Sequence, residues 1–136
     1  MANAITELIF RDDLFYSDKH TWAKIEGEFV KIGITDFAQD QLGEILFVEL
    51  PAVGDTYKKN DTFGQAESAK SVSQLYMPLS GSIVEINNLI EDSAEYVNEE
   101  PYDQGWMIVV EYSDSDEIEG LLSKLEYRQQ IIAVSA

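Results

Sequence analysis

Cysteine is absent from this 136-residue chain, which excludes disulfides, thiolate metal sites and a cysteine nucleophile. Any redox chemistry has to come from something attached to the protein. Histidine is nearly absent: His20 stands alone, so a multi-histidine metal site is excluded and a histidine triad has one candidate. Cations are scarce. With 9 Lys and Arg against 26 Asp and Glu, the net charge is −17. A surface of that sign repels nucleic-acid phosphates and anionic membrane faces, and favours partners with basic docking faces. No apolar run reaches membrane-spanning length, and Met1 to Phe10 lacks the basic start of a leader. The expectation is a cytoplasmic protein with no nucleic-acid or membrane partner. Also missing are G-x-S-x-G, G-x-G-x-x-G and a P-loop, so hydrolase, dinucleotide and nucleotide chemistry have no motif.

What remains is an ordinary globular composition, 45% hydrophobic, long enough for one domain with its own core. Short apolar runs alternate with turn residues. Ala23 to Ile25 and Phe29 to Gly33 flank Glu26-Gly27-Glu28, a hairpin pattern. Ile45 to Leu50, Phe63 to Glu67, Leu75 to Pro78, Ser82 to Ile86 and Trp106 to Tyr112 read as further strands. That pattern argues for an antiparallel barrel or sandwich. Thr35 to Gly43 predicts a two-turn helix near 35–42 with a Thr or Asp cap and a glycine stop. A short helix is expected over 93–97. Ile118, Leu121, Leu122 and Leu125 fall at i, i+3, i+4 and i+7, which predicts a C-terminal helix near 115–130. Asp114, Ser115 and Asp116 suit its cap better than a calcium loop, whose required glycine would fall on Glu119.

The chemistry concentrates in one place. Gly64 to Gly81 sets a single lysine, Lys70, among small and polar residues between two strand-like runs. This describes a hairpin tip presenting one amine. His20, beside Trp22, reads as a structural imidazole.

The order of the motifs carries a resemblance. His20-Thr21-Trp22 is followed by Gly33-Ile34-Thr35-Asp36-Phe37-Ala38-Gln39, Leu42-Gly43, Val48-Glu49-Leu50-Pro51 and Gly54. Then come Glu67-Ser68-Ala69-Lys70, Pro78-Leu79-Ser80-Gly81, Asn87, Asn98, Pro101-Tyr102 and Gly105-Trp106-Met107. Over nearly its full length the chain resembles the H protein family of the glycine cleavage system. The resemblance implies a mainly β, barrel-sandwich hybrid of the lipoyl- and biotinyl-carrier type, with two antiparallel sheets. It implies a single domain over 1–136, with a lipoyl-binding core at about 29–112 and a helical extension over 113–136.

It further implies covalent lipoate on Lys70, with Glu67 and Ser68 recognised by a lipoate ligase or octanoyl transferase. The lipoyl lysine is an arm of roughly ten bonds that reaches on the order of 14 Å. The implied role is a carrier, not a catalyst. Its partners are a pyridoxal-phosphate glycine decarboxylase, a folate-dependent aminomethyltransferase and dihydrolipoamide dehydrogenase, which it meets as a monomer. The implied setting is the bacterial cytoplasm, or the mitochondrial matrix for a mature form. His20, Thr21 and Gln74 are the candidates for a cleft that holds the arm. Two of these depart from the family, which commonly has an acid in place of Thr21 and often one in place of Gln74. Neither residue here supplies a counter-charge to an amine on the arm. Two rival readings are an H-like protein that relays its lipoyl group to other complexes, and an enzyme using Lys70 as a Schiff-base nucleophile. The latter needs a desolvated lysine, whereas Ser68, Ser71 and Ser73 suggest a wet tip.

Overall fold

The computed structural model describes residues 7–135. The larger sheet holds β1 (Phe15–Tyr16), β2 (Thr21–Glu26), β3 (Phe29–Ile34), β5 (Thr56–Tyr57), β8 (Gly81–Ile86) and β9 (Ile108–Tyr112). Its spatial order is β1-β2-β3-β9-β8-β5. The smaller sheet is β4 (Ile45–Glu49), β6 (Thr62–Ser68) and β7 (Val72–Tyr76), with β6 in the middle. Every pairing is antiparallel. Val30, Ile32, Ile83, Ile108 and Val110 of the larger sheet share one core with Val48, Phe63, Ala66 and Leu75 of the smaller. This is the mainly β, antiparallel architecture that the strand pattern predicts, in the two sheets that the resemblance implies.

The turns follow from their residues. Gly27 takes a φ of 65°, which lets β2 and β3 pair from Thr21↔Ile34 to Glu26↔Phe29 across a two-residue loop. Helix α1 (Asp36–Leu42) starts where Thr35 Oγ1 accepts from Ala38 N at 3.1 Å, and stops at Gly43. The short helix expected over 93–97 is present as α3 (Glu95–Glu99), and a second one, α2 (Asn88–Asp92), precedes it. Asn87 caps α2, and the Ser93 N–H closes it on the Leu89 carbonyl.

The C-terminal helix exists, but its expected start and face are corrected. Residues Ser115–Gly120 form a 3-10 turn, capped as expected by Asp114, which accepts from Asp116 N at 3.0 Å. The backbone then becomes extended at Leu121, and Leu122 pairs with Tyr16 through bonds of 2.8 and 2.7 Å. Helix α4 (Lys124–Ser135) begins afresh at Ser123. There Ser123 Oγ accepts from Glu126 N, while Glu126 Oε1 accepts from Ser123 N. That reciprocal cap, Ser-x-x-Glu, outweighs the apolar spacing that ran through it. Leu121 is therefore in the core and Leu125 is 64% exposed. Helix α4 buries Tyr127 and Ile131 instead, in a second cluster with Leu14, Tyr16 and Trp22.

Candidate functional site

Lys70 occupies the turn between β6 and β7. The last ladder pair is Glu67↔Val72. Beyond it, Ser68 N donates to the Ser71 carbonyl at 2.8 Å, and Ser71 N donates to Ser68 Oγ at 3.2 Å. The two serines clamp a turn made of Ala69 and Lys70, neither of which has positive φ. Ser68 is buried, and Glu67 and Lys70 are exposed. The lysine side chain leans toward the C-terminal end of α1. A β-carbon on Gly43, which has φ 77°, would lie 3.4 Å from Lys70 Cε and 3.7 Å from Nζ.

Asn98 of α3 fixes this corner. Its Oδ1 accepts from Ile45 N at 2.9 Å, and its Nδ2 donates to the Gly43 carbonyl and to Gln39 Oε1, both at 2.8 Å. One side chain thus joins the end of α1 to the start of β4, beneath Lys70.

A groove of about 750 Å³ runs between the β7 edge, α1 and the start of β2. Its volume is within the range of small-ligand sites. It begins at Ser71 and Leu42, the sequence neighbours of Lys70 and Gly43, and His20, Thr21 and Gln74 all line it. Among the described residues no Asp or Glu does, and Lys19 is the one charged residue in the lining, with Nζ 5.7 Å from the centroid of the Tyr76 ring.

The three cleft candidates differ in availability. Gln74 is exposed, and its Nε2 donates to Gln65 across the strand at 3.2 Å. Thr21 is 1% exposed, and its hydroxyl is 2.7 Å from Ser17 Oγ and 3.4 Å from the Tyr76 carbonyl. His20 adopts φ 69° and packs against Phe37, with ring centroids 5.1 Å apart. Burial holds its pKa below the ordinary 6.5; Asp18 opposes that shift and Lys19 adds to it. His20 Nδ1 is 2.9 Å from Tyr127 Oη, which is 2.8 Å from Thr35 Oγ1. Thr35 already accepts from Ala38 N. With His20 neutral and protonated on Nε2, Nδ1 accepts from the Tyr127 phenol, which in turn accepts from Thr35. Burial likewise raises the Tyr127 pKa, which keeps that phenol protonated. Sequence reasoning gave Tyr127 no role, because its partners are remote in the chain. Asn98 and Gly43 were visible as motif residues, without their function as a brace.

A sequence profile described as Glycine cleavage H-protein matches residues 14–133. The chain belongs to the glycine cleavage H-protein family. It is 56% identical over 119 residues to the glycine cleavage system H protein of Bacillus licheniformis, spanning 88% of this chain and 94% of that one. With the protein of that name from Oceanobacillus iheyensis it shares 58% over 115 residues, 85% of this chain and 91% of the relative. The crystal structure of a glycine cleavage system H protein from Mycobacterium marinum superposes with a TM-score of 0.79 at 35% identity, covering 89% of this chain and 98% of that one. In this H-protein, the tip, the groove and the Asn98 brace all lie inside the matched span.

Proposed function

We propose that this chain is the lipoylated carrier of a glycine cleavage system, with lipoate in amide linkage to Lys70 Nζ. The observation that carries the reading is the exposed Lys70 amine on a serine-clamped turn, next in the chain to Ser71, which lines the groove that gathers His20, Thr21 and Gln74. The lipoyl group supplies, when bound, the sulfur chemistry and the aminomethyl attachment that a cysteine-free chain lacks. The residues present fit that group. Lys70 offers an accessible nucleophile, and amide formation removes the charge of its exposed amine. Leu42, Phe37 and Leu75 give the groove an apolar wall for an alkyl arm, and its polar edge is Ser71, Ser73 and Gln74.

The partners that follow are glycine decarboxylase, aminomethyltransferase, dihydrolipoamide dehydrogenase and a lipoate ligase or octanoyl transferase. The chain serves them as a monomeric, non-catalytic cosubstrate within a bacterial cytoplasm. The relatives are named for the glycine cleavage system, which favours this reading over a lipoyl relay. A Schiff-base role is disfavoured by the exposure of Lys70. Peptide mapping after incubation with lipoate ligase, ATP and lipoate should place the adduct on Lys70 alone. A Lys70→Arg protein that still gains the lipoyl mass overturns the assignment.

A further inference from the structure

The outer face of the smaller sheet carries an apolar row next to Lys70. Phe47 of β4 pairs with Glu67 of β6, which pairs with Val72 of β7, so the three side chains lie abreast. Phe47 is 47% and Val72 52% exposed. A register shift between Ile45 and Phe47 leaves Leu46 as an extra residue in β4, 57% exposed. Bulges re-aim side chains, and this one turns two large apolar groups toward solvent at the end of the sheet nearest the tip. Gly43, toward which Lys70 leans, lines a pocket together with Asp40, Glu44, Glu95 and Glu99.

We infer that Leu46, Phe47 and Val72, on either side of Glu67, form an apolar docking face for the enzyme that attaches lipoate to Lys70. This rests on the Lys70 reading above. Reach selects the occupant. An unmodified lysine extends its nitrogen only roughly 6 Å from its own Cα by bond-length arithmetic. An enzyme that acylates that nitrogen has to bring its surface onto the flanks of the turn, and the row is the first pair behind it. Partners that meet the finished arm on the order of 14 Å away have no such requirement. Charge selects the complement. An apolar row centred on Glu67, with a carboxylate-lined pocket at Gly43, fits an apolar lip with basic residues around it.

The test measures lipoylation kinetics of the full chain with a purified bacterial lipoate ligase, lipoate and ATP, read by intact mass. Leu46→Ser and Phe47→Ser are surface changes, and each should raise KM for this protein about tenfold with kcat little changed. Glu67→Gln should raise KM and flatten its dependence on salt. Val53→Ser and Leu125→Ser remove equally exposed groups, 60% and 64%, outside the row and should leave KM unchanged. Calorimetry on each variant confirms an intact fold. KM within twofold of native for Leu46→Ser and Phe47→Ser, while Lys70 is fully modified, overturns the docking face and leaves the attachment reading standing. A loss seen only when pre-lipoylated variants serve glycine decarboxylase overturns the choice of occupant. Absence of any adduct on Lys70 in the native protein overturns the attachment reading instead.

Discussion

Thr21 and Gln74 both line the groove, yet only one is free to take a new role. A carboxylate at position 21 would displace a hydroxyl that is 1% exposed and paired with Ser17 and the Tyr76 carbonyl. Its charge would be buried against a carbonyl oxygen, while the nearby cation lining the groove, Lys19, lies over the Tyr76 ring. We expect Thr21→Glu to destabilise the fold by about 3 kcal/mol or more. Gln74→Asp gives up one exposed bond to Gln65 and should stay within about 0.5 kcal/mol of native. Urea titration distinguishes them. A Thr21→Glu midpoint equal to the native one would show that this position opens into the groove, as an acid in its place in family members implies. If an acid is to be restored to the groove, position 74 is the place for it.

Helix α4 reaches His20 and the start of α1 through Tyr127. Tyr127 stacks on Tyr16 with ring centroids 4.7 Å apart and planes 2° from parallel. Its hydroxyl reaches past that ring to His20 and to the cap of α1. Two walls of the groove are therefore held from behind by an element that does not line it. Tyr127→Phe keeps the stacking and removes both hydrogen bonds, leaving buried Thr35 and His20 Nδ1 short of a partner. The expected cost is about 1–3 kcal/mol, read as a shift in urea midpoint. A ring-proton shift of His20 in NMR spectra should accompany it. A neutral outcome would mean that water takes over the hydroxyl's position.

For the molecule as a whole, pH acts on two opposed quantities. Excess acids repel one another, so acidification relieves self-repulsion in a chain of net charge −17. His20 works the other way. Its pKa is lower folded than unfolded, so below about pH 6.5 the unfolded state binds the extra proton first. Its contribution is complete above the unfolded value and is lost as pH falls through the folded one. A His20→Asn variant, whose residue tolerates positive φ, removes that titration. Between about pH 7.5 and pH 5 the native protein should lose more Tm than the variant, by calorimetry. Parallel curves for the two would show that His20 ionises alike in both states.

Local chemistry made much of this protein legible in its sequence. Alternating runs set the strands, Thr35 and Gly43 bounded α1, and the isolated Lys70 among small residues marked the tip. Each of these depends on residues within a few positions of one another, where propensity and turn geometry act. The same reasoning misplaced the start of the C-terminal helix, because the apolar spacing over 118–125 runs through the Ser123-x-x-Glu126 cap. Long-range packing assembled the rest. Asn98 reaches Gly43 and Ile45, Tyr127 reaches His20 and Thr35, and Phe47 lies abreast of Glu67 and Val72. Spacing along a chain cannot encode those meetings. They arise when two sheets close on a shared apolar core, and burial then decides which polar groups are spent on the fold and which still face the groove.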